Sequence, residues 1–140
     1  MLLIFLFSAQ PAAQSDTLSV GLLAKIIHVF IPQFDLFSAT DKLAYINQGN
    51  AIIRKSAHVF IYFVLALLFL ITLKQYGLSP GKKHLSAILL CLLYASTDEI
   101  HQIFVSGRGP SILDVGIDLL GILAGLGVFA IVHNLIKKRA

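Results

Sequence analysis

The sequence predicts an all-α integral membrane protein. It has three full transmembrane helices, a short N-terminal apolar segment that is a remnant or the end of a first helix, and an amphipathic helix lying in the interface. Three observations carry that expectation. Hydrophobic residues make up 57% of the 140-residue chain and charged residues 13%, against about 45–50% and about 25% in ordinary globular domains. The mean hydropathy of +0.85 excludes a disordered chain, and it would leave a water-soluble domain of this size with extensive apolar surface. Nearly every uncommon polar residue gathers toward one end of the expected bundle, with His28, His84 and His133 outside the cluster as loop or interface histidines.

The elements follow in order. Residues 1–7 (MLLIFLF) are too short to cross a bilayer and lack the basic flank of a signal peptide, so they read as a partial first helix. Residues 17–32 form the interfacial helix, capped by Asp16 and stopped by Pro32, with Lys25 and His28 three apart on one side. The first span is 52–74, built on the apolar stretch Ala57 to Leu73 with His58 at its mouth. The second is 85–105. Its apolar part ends at Thr97, but neither Gly nor Pro intervenes before Gly107, so the helix continues through Asp98 to Val105 and carries acids to membrane depth. The third is 111–136, with Asp114 and Asp118 in its first two turns.

Eleven Lys and Arg against seven Asp and Glu give a net charge of +4. With no basic stripe interleaved with aromatics, that excess points to anionic headgroups, so membrane lipids are expected partners and nucleic acid is not. The basic residues cluster at Lys74, Lys82 and Lys83 and at Lys137, Lys138 and Arg139. By the positive-inside rule these ends and the C-terminus are cytoplasmic and the Arg108 turn faces outward. Lys83 reads as a solvated loop charge whose removal changes little. Cys91 is a single cysteine in an apolar run, which leaves no intramolecular disulfide and no zinc-finger spacing.

Helical spacing draws the polar residues into stripes. Arg54 or Lys55, His58 and Tyr62 form one; Asp98 with His101 or Gln102, and Glu99 with Gln102, another; Asp114, Asp118, Gly121 and Gly125 a third. A charge inside a span costs at least ~2.5 kcal/mol, so these side chains should turn inward and pair, forming a polar cup at the outward end. The adjacent acids Asp98 and Glu99 need cations such as Lys55, Arg108 or a protonated histidine to stay ionised. Gly121 and Gly125 read as helix packing.

Such a cup would receive phosphate or carboxylate on Arg108, Lys55 and protonated His58. Alternatively His58, Glu99 and Asp118 are candidates for acid–base catalysis, with Arg108 stabilising developing negative charge. A metal-assisted version built on Asp98-x-x-His101, Asp114, Asp118 and His58 ranks below both, and neither a metal site nor a cofactor is expected. No nucleotide loop, dinucleotide fingerprint, HExxH or GxSxG occurs. A proton-coupled transporter would need midplane polar residues or an internal repeat, and neither is evident.

The runs SAQPAAQS, RKSAHVFIYF and YASTDEIHQIFVSGRGPSILDVGIDLLGILAG together resemble the VanZ-like family of small bacterial membrane proteins. The shared pattern couples Lys-x-x-His, Asp-Glu-x-x-Gln-x-Phe with a following Gly-Arg, and Asp-x-x-x-Asp-x-x-Gly, and the resemblance extends from Phe5 onward. It implies a four-helix membrane protein, of whose first helix this chain shows only the tail. It also implies a multi-pass protein of the bacterial cytoplasmic membrane with a cell-envelope role of the teicoplanin-resistance type. The polar positions implied as ligand-binding are Gln10, Ser15, Lys55, His58, Tyr62, Asp98, Glu99, Gln102, Arg108, Asp114 and Asp118, with His101 extending the same face. The ligand expected there is a lipid-linked cell-envelope precursor or a lipoglycopeptide.

Overall fold

The computed structural model describes residues 5, 9 and 11–139. The expected partial first helix, apart from Phe5, and the site residue Gln10 lie outside the described residues. Within them all regular structure is helical: α1 (Ala12–Phe30), one 3-10 turn (Phe34–Leu36), α2 (Ala39–Lys74), α3 (Pro80–Gln102) and α4 (Ile112–Arg139).

α1 starts a turn before the expected Asp16 cap. Pro11 precedes it with φ −52° and ψ 146°, and Ala12, Ala13 and Gln14 are good helix formers that extend it backward. Asp16, no longer a cap, reaches across to Arg54 of α2. The helix stops before Ile31, which Pro32 pushes out of the α region. It buries Ser19, Leu23 and Ile27, four residues apart, while Leu18, Leu22 and Val29 stay exposed. The buried stripe packs on the N-terminal half of α2. The two helices run antiparallel, for Asp16 meets Arg54, and Phe34, just past the end of α1, meets Tyr45. A Cβ on Gly49 would come within 2.7 Å of the Leu23 side chain, so that glycine sets the distance between them.

α2 is longer than the expected 52–74 span. It begins at Ala39 because the Ser38 hydroxyl accepts the Asp41 N–H at 3.2 Å, a cap that sequence spacing contains as Ser38-x-x-Asp41. Its 36 residues extend over about 54 Å at 1.5 Å per residue, against about 30 Å of hydrocarbon in a bilayer. α3 likewise begins earlier than residue 85, with Pro80 at the first helical position, where its missing N–H is no loss. It ends at Gln102 rather than 105, the next three residues forming turns with i to i+3 bonds before Gly107 takes φ +75°. α4 follows the expected 111–136 span to within three residues.

Among the described residues two helices, α2 and α4 (Ile112–Lys138), are long and apolar enough to cross a membrane. Three full spans are not established, because α3 carries Lys82 and Lys83 at one end and Asp98 and Glu99 at the other. The surface is inverted relative to a water-soluble domain. Phe60, Leu68, Leu93, Phe104, Leu113 and Leu120 are exposed, while Asp98, Glu99, Gln102 and Asp118 are buried.

The core explains where the polar residues go. Ala87, Cys91 and Ala95 form a stripe of small buried side chains on α3, and the same face continues into Asp98, Glu99 and Gln102. On α2 the buried face runs from Leu70 through Ala66 and Leu65 to Tyr62 and then His58; on α4 it runs from Leu126 through Ile122 to Asp118. The interior is apolar at one end and polar at the other. Gly121 and Gly125 bring α4 onto α2, since a Cβ at Gly121 would collide with the Val59 carbonyl oxygen and one at Gly125 would lie 2.8 Å from that of Phe63.

Candidate functional site

At the polar end the helices enclose a cavity of about 190 Å³. Its polar walls are Arg54, Lys55 and His58 from α2, Gln102 from α3, Arg108 from the α3–α4 turn, and Asp114 and Asp118 from α4. The close approach at Gly121 is what makes this possible. Asp118 lies one turn before Gly121 and His58 lies beside Val59, so backbone contact between α2 and α4 delivers His58 Nδ1 to 3.5 Å from Asp118 Oδ1. That is an ion-pair distance without hydrogen-bond geometry. Asp118 is 1% exposed, and neither carboxylate oxygen has a hydrogen-bond partner among the described residues.

Two further ion pairs line the rim. Lys55 Nζ is 3.7 Å from Asp114 Oδ1, and Arg54 Nη1 is 2.9 Å from Asp16 Oδ1. Asp16 also accepts from Asn50 Nδ2 at 3.0 Å, and Asn50 in turn accepts from the Ser19 hydroxyl. Thus α1 is latched to the rim of the cavity by a chain of polar contacts. Both rim ion pairs have exposed or half-exposed partners, where such contacts contribute little to stability and serve mainly to orient.

Glu99 is engaged in holding the turn. Its Oε2 accepts the Ser111 N–H at 2.7 Å and its Oε1 receives Gln102 Nε2 at 3.4 Å. This satisfies one of the N–H groups at the start of α4 and ties the two ends of the turn that carries Arg108. Arg108 itself lines the cavity, and its buried Nε has no hydrogen-bond partner among the described residues. Burial and the nearby Arg54 guanidinium pull its pKa below the ordinary arginine value, against the opposing pull of Asp98, Asp16 and Glu99. It remains a cation, since arginine is not deprotonated in proteins. Gly107, in a left-handed conformation at φ +75°, turns the chain so that Arg108 can fold back over the site.

The other expected positions are distributed around this centre. Tyr62 is fully buried beneath it and Asp98 is 3% exposed; the Tyr62 hydroxyl and both Asp98 oxygens lack hydrogen-bond partners among the described residues. Neither lines the cavity. His101 stacks on the Phe5 ring at 4.1 Å between centroids, also outside the cavity wall. Ser15 contributes its carbonyl to the Ser19 hydroxyl at 2.8 Å within α1 and does not line the cavity. Arg54 and Asp16 were absent from the sequence-based set. Arg54 was visible four residues before His58 on the same stripe, whereas Asp16 lies 38 residues from its partner and no local signal marks it. Among the described residues no three His, Cys, Asp or Glu side chains converge as a metal site.

Lys83 corrects the expectation of a solvated loop charge. It lies in the first turn of α3, is buried, and places its Nζ 5.2 Å from the centre of the Phe129 ring.

Helices whose apolar sides face out and whose acids and arginine turn in define an all-helical membrane protein with a polar cavity at one end. The family model described as VanZ/LLP1 matches residues 1–133, and the chain belongs to that family. No curated protein and no solved structure matches it.

Proposed function

We propose that this protein is a multi-pass cell-envelope membrane protein, with α2, α3 and α4 as its spans, whose cavity opens outward and holds the anionic headgroup of a lipid-linked envelope component or a lipoglycopeptide. The C-terminus is on the cytoplasmic side in this reading, and retention of that ligand contributes to tolerance of glycopeptides of the teicoplanin type. The observation that carries it is Arg108. The two other permanent cations at the cavity, Arg54 and Lys55, already face a carboxylate, while the Arg108 guanidinium has no ion pair among the described residues. A guanidinium fork suits phosphate or carboxylate, bound through two parallel N–H bonds.

The test is lipid analysis of purified protein. Arg108→Ala should lose the co-purified anionic headgroup that the parent protein and Lys82→Ala retain, with affinity lower by about tenfold to a hundredfold, the worth of a charge-assisted hydrogen bond. Arg108→Lys should recover part of it, keeping charge without the fork. Equal retention by Arg108→Ala and Lys82→Ala would make Arg108 a turn residue and remove the basis of the reading.

The His58–Asp118 contact favours a second reading, a membrane-embedded enzyme acting on a lipid-linked substrate. Of the three catalytic candidates, Glu99 is occupied by the Ser111 N–H. That leaves His58 and Asp118 for acid–base work. A lipid converted by the parent protein but not by His58→Gln would favour this reading over retention alone.

A further inference from the structure

We propose that the ligand is a zwitterion: a primary ammonium joined by a short linker to a phosphate, the chemistry of an ethanolamine-phosphate headgroup. This rests on the headgroup-binding reading above and narrows it. The cavity wall carries two unmet needs of opposite sign. On one side Arg108 has no ion pair and a buried Nε without a partner; on the other Asp118, 1% exposed, has two carboxylate oxygens without hydrogen bonds. His58 stands 3.5 Å from one of those oxygens and satisfies neither. Behind Asp118 the interior holds a second carboxylate of the same kind, Asp98, also without hydrogen bonds.

A purely anionic ligand would answer Arg108 and would then sit against Asp118, a like charge in a poorly solvated cavity. A purely cationic ligand would answer Asp118 and meet Arg54, Lys55 and Arg108. A zwitterion answers both, with phosphate on the Arg108 fork and ammonium on Asp118. The ammonium must carry N–H donors, because two carboxylate oxygens lack hydrogen bonds; a primary ammonium brings three, and a quaternary nitrogen brings none.

The experiment uses the full chain in detergent micelles and three soluble dihexanoyl lipids: phosphatidylethanolamine, phosphatidylcholine and phosphatidic acid. Calorimetric titration should give an affinity for phosphatidylethanolamine about tenfold or more above that for either of the others. Asp118→Asn should abolish that preference while leaving phosphatidic acid bound at least as well. Should that variant fail to fold, the lipid series on the parent protein carries the test alone. Competition with O-phosphoethanolamine separates the sources. Displacement of the lipid at comparable concentration makes the free zwitterion sufficient, and failure to displace makes the lipid-borne headgroup the ligand; both follow only if the preference exists. Equal affinity for phosphatidylethanolamine and phosphatidic acid, or for phosphatidylethanolamine and phosphatidylcholine, overturns the zwitterion and leaves headgroup binding standing. Absence of binding by all three overturns the zwitterion, and the headgroup reading is then decided by the comparison of Arg108→Ala with Lys82→Ala above.

Discussion

Arg108, Glu99 and Lys83 show how far residue type alone misleads about role. Glu99 and Asp98 are neighbours in an acidic pair, yet Glu99 holds a backbone N–H of the α3–α4 turn while Asp98 has no hydrogen bond among the described residues. Their difference comes from the turn, which brings Ser111 back over only one of them. Lys82 and Lys83 make the same point at the other end of the bundle, one exposed and one buried against Phe129. Lys83→Ala is therefore expected to lower stability by up to about 2 kcal/mol, the worth of a desolvated cation–π contact, whereas Lys82→Ala is nearly silent. Thermal unfolding of the two variants in one detergent checks this; equal behaviour would return Lys83 to the status of a solvated charge.

At the scale of the element, the seam between α2 and α4 determines whether a site exists. Gly121 and Gly125 let the helix backbones touch, and the contact of His58 with Asp118 is a consequence of that approach. Gly121→Ala should push the helices apart and cost about 3 kcal/mol, the upper end of overpacking effects. Gly116, in the same helix with open space around it, provides the control. Gly116→Ala should leave stability unchanged or raise it by up to about 1 kcal/mol, the intrinsic helix preference for alanine. If both substitutions behave alike under thermal unfolding, the seam is not what positions the site.

The elements were legible in the sequence to unequal degrees. α4 and most of α3 were, because apolar runs and the 3.6-residue spacing of their polar positions are local. The spanning half of α2 was legible for the same reason. The half from Ala39 to Ala51 was not, although Ser38-x-x-Asp41 marks its start, because its partner is α1 and their contacts join residues such as Ser19 and Asn50 that lie 31 apart. Sequence periodicity says which face of a helix is apolar and not which element covers it. Of the site, the stripes through Lys55, His58, Gln102, Asp114 and Asp118 and the turn residue Arg108 were legible, and the structure gathers those residues at one cavity. Tyr62, Asp98 and His101 share the stripes and lie outside its wall, a matter of depth and rotation that spacing does not resolve.

The whole molecule is a membrane protein of the VanZ/LLP1 family, and its orientation decides which compartment the cavity serves. With Cys91 replaced by Ala, single cysteines at Ser106 and Lys82 distinguish the two cases in intact cells. Impermeant labelling is expected at position 106 and not at 82; the reverse would place the cavity on the cytoplasmic side. The most direct measurement of the central claim is an experimental map of the protein purified in its native lipid. It should show a headgroup in the cavity between α2 and α4, within hydrogen-bonding reach of the Arg108 guanidinium. Lipid density confined to the exposed apolar faces around Phe60, Leu93 and Leu120, with only water beside Arg108, would contradict it.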